Sequence, residues 1–410
     1  MDIVFFADMA IEYHNPEPKM KVRGLSERGH RVILVDKLGI NDPSLQNLGL
    51  VVRRLAPPLF RARGEPGWTS RLEEVAAVPG SPPGTAGPVG VVRPGLLPPR
   101  RAPVIRSLNR VWLRRKLIQV MRAASMAAPV FWVRFPVPEL VDIVDRLPVR
   151  GVVYECVDDF PAFVHWTPAI RRLLEMTERR LTARADLVVT TSPVLARRLE
   201  AWAAPVHVVT NGVDMRVFTE EAMRKPLPCS LGDLPPGPVV GYLGGLDLRL
   251  DYAVLDAVAK VLDGVGTLVV AGPRLAGISL GDLPTRRNVR LVGAIPHDQV
   301  PACLARFDVC LLPYRTDLEL AQALSPVKLF EYLACGRPVV AADIPAVRES
   351  AGLVYVAADQ TDFPRLVMVA LSENDPHLVR ARQDRARAEG WVAKLDRLDA
   401  LLRARFPAGR

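Results

Sequence analysis

In the stretch SPVKLFEYLACGRPVV, Ser325 to Val340, a lysine and a glutamate stand three residues apart as Lys328 and Glu331. On a helix that spacing puts both on one face, one turn apart. Ser325 is a favoured N-cap, Pro326 suits the first helical position, and Gly336 suits the residue just past the end, so the local reading is a short helix. Its N-terminus offers unpaired N–H groups and a partial positive charge to an anion such as a diphosphate, and Lys328 adds a full charge. Glu331, set behind that anion, has the acceptor geometry for a ribose diol. A solvated ion pair on an ordinary helix has the same spacing, and these residues alone leave both readings open.

A second group of polar residues lies in VYECVDDFPAFVHW, where Asp158 and Asp159 end a strand pattern. Strand ends are where α/β folds place reactive groups, but an aspartate there also caps a following helix. Loop histidines at His14 and His165 are weaker candidates. The segment after the first strand, ADMAIEYHNPEP, contains no glycine, so the dinucleotide fingerprint of a nicotinamide enzyme is missing. No D-x-D, C-x-x-C or His/Cys cluster suggests a bound metal.

These groups must be positioned by elements that alternate along 410 residues, a length that favours two domains. Asp2 to Met9 reads as a buried strand, and Lys19 to Asp36 as a helix, a turn at Gly29 and a second strand, the opening of a parallel sheet. Glu74 to Arg100 is too rich in proline and glycine for regular structure and reads as a long surface loop. Ile105 to Ala124 is a basic amphipathic helix, after which APVFWVRF, GVVYECVDD, ADLVVTTS and VHVVTNGVD continue the α/β alternation. Composition marks 219–238 as a linker. Beyond it VVGYLGGL restarts the pattern, with a helix at Tyr252 to Leu262 and strands TLVVAG, VRLVG, DVCLLP, PVVAAD and LVYVA. Asp375 to Arg405 is helical and charged. The expected domains are 1–218, with a basic insertion near 75–125, and 239–390, with a terminal helix at 391–410 folding back on the first. Two such sheets would leave a ligand cleft between them.

The formal net charge of +10 is concentrated: from Val75 to Pro138 there is no acidic residue, while arginines and one lysine recur. Arg100 to Arg122 therefore suits an anionic membrane surface, though a solvated helix accounts for it equally well. No recognition motif supports nucleic acid. Five scattered cysteines read as reduced thiols, and no basic leader or membrane-length apolar run stands in the sequence, so the expected location is cytoplasmic, with an optional peripheral membrane contact.

ADLVVTTSPVLARRL, VVTNGVDMRVF, VVGYLGGLD, VRLVGAIPHDQVPACLARFDVCLLPY and SPVKLFEYLACGRPVV, in this order across about Asp186 to Ile344, resemble bacterial GT-B glycosyltransferases of the group 1 or family 4 type. The resemblance implies two Rossmann-like domains with an interdomain cleft. It also implies transfer of a sugar from a nucleoside diphosphate donor, UDP-, dTDP- or GDP-linked, to a hydroxyl or amine of an unidentified cell-envelope or natural-product acceptor. No cofactor or catalytic metal is implied. By the same likeness Glu331 would hold the ribose, and Lys328 with the backbone at Ser325 and Val327 would contact phosphate or sugar. The backbone near Ile295 would frame the base, and Gly244 and Gly245 would admit the diphosphate.

Two departures stand out. A glutamate usual in the family falls at Ala323, and an Arg/Lys pair usual after the glycine turn falls at Gly245 and Leu250, with Arg249 the nearest substitute. In a transfer with inversion, Asp158, Asp159 or His14 would deprotonate the acceptor. A nucleotide-sugar 2-epimerase of the same fold, or a non-catalytic relative serving as a partner protein, is the competing expectation.

Overall fold

The computed structural model describes residues 1–7, 17–35, 38, 90–92, 96, 103–163, 166–203, 205–227, 231–232 and 234–407. By contacts the chain divides into one unit of Met1–Thr190, Leu195–Val208 and Arg397–Arg410 and another of Thr191–Val194 and Val209–Asp396. Among the described residues no helix is long and apolar enough to cross a membrane.

The first unit is built on strands β1 (Asp2–Phe6), β2 (Arg31–Val35), β3 (Gly90–Val92), β4 (Val130–Val133), β5 (Gly151–Cys156), β6 (Leu187–Thr190) and β7 (Val206–Val208). They pair in parallel in the order β3-β2-β1-β4-β5-β6-β7. Runs such as Ile3–Phe6 and Val130–Val133 are apolar at every position because both faces of a parallel sheet are covered. The longer helices are α1 (Glu17–Glu27), α2 (Pro103–Ala123), α3 (Pro168–Arg184) and α4 (Pro193–Leu199). Thr167 caps α3, its hydroxyl accepting from the Ile170 amide at 3.4 Å.

The Glu74 to Arg100 segment, expected to be irregular, contributes edge strand β3, which adds to β2 through a Gly-Val-Val run. The rest of that segment lies mostly outside the described residues.

At the carboxyl ends of β4 and β5 the first unit buries charge. Arg134, directly after β4, pairs with Glu17 at 2.5 Å and with Glu155 of β5 at 3.2 Å, while Lys21 of α1 contacts both carboxylates. Trp132 donates to Glu155 at 2.8 Å. Burial alone pushes the Glu17 carboxyl up, yet the charges of Arg134 and Lys21 outweigh it and hold the group below its ordinary range.

The second unit repeats the plan with β8 (Val239–Leu243), β9 (Thr267–Ala271), β10 (Val289–Val292), β11 (Val309–Leu312), β12 (Val339–Ala342) and β13 (Tyr355–Ala357), all parallel, in the order β10-β9-β8-β11-β12-β13. The order reverses between β8 and β11, so the carboxyl ends of these two strands mark the switch point where open α/β sheets bind ligands. Helices α5 (Tyr252–Val261), α6 (Val300–Arg306), α7 (Val327–Ala334), α8 (Asp362–Leu371), α9 (Pro376–Ala388) and α10 (Trp391–Arg405) complete it. Asp251 caps α5 through the amides of Ala253 and Val254.

Two element readings change. The 219–238 stretch, read as a linker, holds a short helix at Glu220–Met223. Thr219 caps it, accepting from the Ala222 amide at 3.1 Å, and two glutamates stand in its first turn. The charged helix expected over Asp375 to Arg405 is two helices, because Gly390 leaves the helical path to form a bridge with Val213. The boundary between the units then falls within α10: Trp391 donates its amide to Val213 of the second unit at 3.1 Å, while Asp399 and Phe406 pack in the first.

Candidate functional site at the β8–β11 switch point

β8 ends at Leu243 and runs into Gly244, whose φ of 155° is one that few L-residues adopt. Its amide donates to the Ala271 carbonyl at 2.8 Å, which holds the turn against the end of β9. A Cβ added to Gly272 would overlap the Gly244 carbonyl, and one added to Gly244 would overlap Cε of Lys328. Gly272 is therefore required by contact with backbone, so that two chain turns can meet, while Gly244, required by its φ, lets the lysine lie across the turn.

Lys328 sits in the first turn of α7, with its Nζ 5.8 Å from the centre of the Tyr242 ring. Among the described residues it makes no hydrogen bond or ion pair. The Leu329 amide donates to the Pro326 carbonyl at 3.2 Å, which leaves the amides of Val327 and Lys328 as the open donors of the α7 N-terminus, beside the Lys328 cation.

One turn on, Glu331 is only 8 % exposed and likewise has no hydrogen bond among the described residues. Burial pushes its carboxyl above the usual value, and the charges of His297 and Lys328 offset only part of that rise. The ion pair expected of a routine helix is not formed: Lys328 and Glu331 are not in contact. A largely buried carboxyl with no protein donor is costly unless water or a ligand supplies one.

Ser325 does not cap α7. Pro326 occupies the N-cap position without a side-chain bond, because the Ser325 hydroxyl is taken by the Asn211 amide at 3.1 Å and its carbonyl by Asn211 Nδ2 at 2.8 Å. Val327 opens the helix, and Gly336, at φ 69°, ends it as expected. Ile295 is buried just before the turn that carries His297.

Arg249, the nearest substitute for the absent cations, is already engaged: it forks onto Asp247, the shortest bond being 2.5 Å. Burial pushes Asp247 up, but Arg249 and, to a smaller degree, Lys328 bring its carboxyl below the usual range. Gly245 carries only the acceptor for the Tyr242 hydroxyl, at 2.9 Å. Ala323 is buried.

The sequence reading gave no role to Asn211, His297 or Asp247. The Asn-Gly pair in VVTNGVD was the available signal for the first; nothing local marks the other two.

In the first unit Asp159 precedes a single 3-10 turn at Phe160–Ala162 but does not cap it. Its carboxylate lies 3.6 Å from Arg198 of α4, which also forks onto Glu178 at 2.6 and 2.9 Å, and Glu178 accepts from Tyr154 at 2.6 Å. The Asp158 carbonyl accepts from Cys156, whose thiol burial pushes well above its ordinary value. His14 and His165 lie outside the described residues.

Two parallel, doubly wound α/β units give the chain the GT-B fold. Solved structures of that fold superpose over essentially its full length. Sucrose-phosphate synthase from Thermosynechococcus elongatus gives a TM-score of 0.68 at 17% identity, covering 100% of both chains. HepE of Anabaena, in complex with UDP and glucose, gives 0.64 at 16%, covering 98% of each. Residues 237–373 match the family described as Glycosyl transferases group 1, and over them the chain carries a group 1 glycosyl transferase domain. A Bacillus subtilis (strain 168) protein assigned as the teichuronic acid biosynthesis glycosyltransferase TuaH is 28% identical over 256 residues, 58% of this chain and 64% of that one. The 2-deoxystreptamine N-acetyl-D-glucosaminyltransferase of Streptomyces fradiae is 29% identical over 229 residues, 50% and 49%. The matches span less than two thirds of either relative.

Proposed function

We propose that the chain is a glycosyltransferase that moves a sugar from a nucleoside diphosphate donor to an acceptor hydroxyl or amine of a cell-envelope glycan, lipid or natural product. The observation that carries this reading is Glu331: a buried carboxyl lacking a donor, one turn from an unpaired Lys328 that lies across a glycine turn at the sheet's switch point. A diphosphate on Lys328, the α7 amides and Gly244 would leave Glu331 to accept from the ribose hydroxyls, which meets the need of every unpartnered group there. UDP is the first donor base to try, since HepE binds it on the same fold.

With Arg249 committed to Asp247, Lys328 is the cation in the first turn of α7 that would neutralise the departing diphosphate, together with the helix amides. Asp159, held beside Arg198, is the proposed acceptor base.

Isothermal titration with UDP, dTDP and GDP tests the donor site. Lys328→Ala and Glu331→Ala should each weaken nucleotide binding by about tenfold to a hundredfold, the cost of losing a charged hydrogen bond. Unchanged affinity in both variants would sink the reading. Incubation with donor alone separates transfer from epimerisation, because isomerisation without acceptor belongs to the latter.

A further inference from the structure

Helix α2 packs on the first unit through Asn109, Leu113, Leu117, Val120 and Met121. At about 100° per residue these share one side, and the opposite side carries Val104, Leu108, Val111 and Trp112, followed by Arg115 and Arg122. The four apolar residues are not buried: Val104 is 71%, Leu108 and Val111 are 51%, and Trp112 is 44% exposed. Surface apolar residues scattered singly need no explanation, but four on successive turns of one helix face make a patch.

The charge on this face is equally one-sided. The helix has no acidic residue, nor has the chain from Val75 to Pro138. Arg110 and Arg114 are tied to the neighbouring Asp142 and Arg146 carbonyl, whereas Arg115 and Arg122 are exposed and have no partner among the described residues. The outward face thus reads apolar over its first half and cationic over its second.

We infer that this face of α2 docks the protein on an anionic lipid bilayer. Val104, Leu108, Val111 and Trp112 enter the boundary between headgroups and chains, and Arg115 and Arg122 meet lipid phosphates. A protein partner would cover the apolar half with no use for unpaired arginines. A nucleic acid would use the arginines and leave the apolar half in water. An anionic bilayer interface satisfies both halves at once, its headgroup–chain boundary taking the apolar residues and its phosphates the arginines. The inference does not depend on the donor site, which lies in the other unit.

The test is co-sedimentation of the full chain with vesicles of equal parts phosphatidylglycerol and phosphatidylcholine, against vesicles of phosphatidylcholine alone. Binding is expected to the first and to fall steeply with salt. Arg115→Glu and Arg122→Glu should each lower partitioning by about fivefold or more. The double variant Leu108→Glu, Trp112→Glu should abolish it while keeping the native circular dichroism spectrum, since both side chains project outward. Equal binding to neutral vesicles, no binding to anionic ones, or binding undiminished in the folded double variant would each overturn the proposal. So would a dimer, or oligonucleotide binding, that accounted for the same residues in the absence of lipid.

Discussion

Glu331 and Lys328 carry opposite liabilities. The carboxyl is held above its ordinary value of 4.5 by burial, so the folded protein binds a proton there more tightly than the unfolded chain. Below the unfolded value both states are protonated and the residue is neutral to stability. As pH rises through the folded value, ionisation costs the fold. Glu331→Gln should therefore raise the melting temperature of the ligand-free protein at neutral pH, with a gain that shrinks on acidification toward 4.5, while weakening UDP binding. Thermal melts across that range, paired with titration calorimetry, check both halves; a gain independent of pH would contradict the assignment.

Lys328 and Glu331 were legible as a pair because a one-turn spacing is local information. Their lack of mutual contact was not, since it follows from Lys328 lying over Gly244, a residue 84 positions upstream by the numbering. The engagement of Arg249 was not legible for the same reason: its loop partner Asp247 is two residues away, but the fork geometry depends on the path of the turn.

Among elements, the glycine turns after β8 and β9 set how closely Lys328 approaches the sheet. Gly272→Ala brings a methyl onto the Gly244 carbonyl in a backbone conformation that alanine resists. It should cost about 1–3 kcal/mol in denaturant melts and weaken nucleotide binding. In the first unit, Arg134→Met removes one of the two cations that pair with Glu17 and Glu155; a loss of about 3–5 kcal/mol is expected on chemical unfolding. Because Glu17 is held below its ordinary range, stability supplied by this cluster is present above the unfolded carboxylate value and is lost as pH falls through the folded one. The strands were readable from uninterrupted apolar runs. Edge strand β3 was not, since three residues inside a proline- and glycine-rich segment carry too short a pattern.

On the scale of the whole molecule, each unit has its own sheet and the proposed donor site belongs to one of them. Calorimetry should accordingly show that UDP raises the unfolding of the second unit, by an amount growing with the logarithm of its concentration, and leaves the first nearly unmoved. An equal shift in both would place nucleotide contacts in the first unit as well. The division into two α/β halves was visible in the restart of the strand pattern at Val239. A terminal helix returning to the first half was an expectation of the sequence; the point along α10 at which the units divide was not readable, because nothing in its composition changes at Arg397.

That shared helix bears on how the chain is made. Gly212 must leave room for the Glu389 carbonyl, Val213 waits for Gly390 and Trp391, and Gly151 waits for the Phe406 ring. A ribosome delivers these partners only after both sheets have been made, so neither half can close its structure during synthesis in the usual order of one domain after the other. Both sheets can assemble early, but their final seals arrive together, and a nascent chain cut short before Trp391 would leave two incomplete halves instead of one finished and one missing.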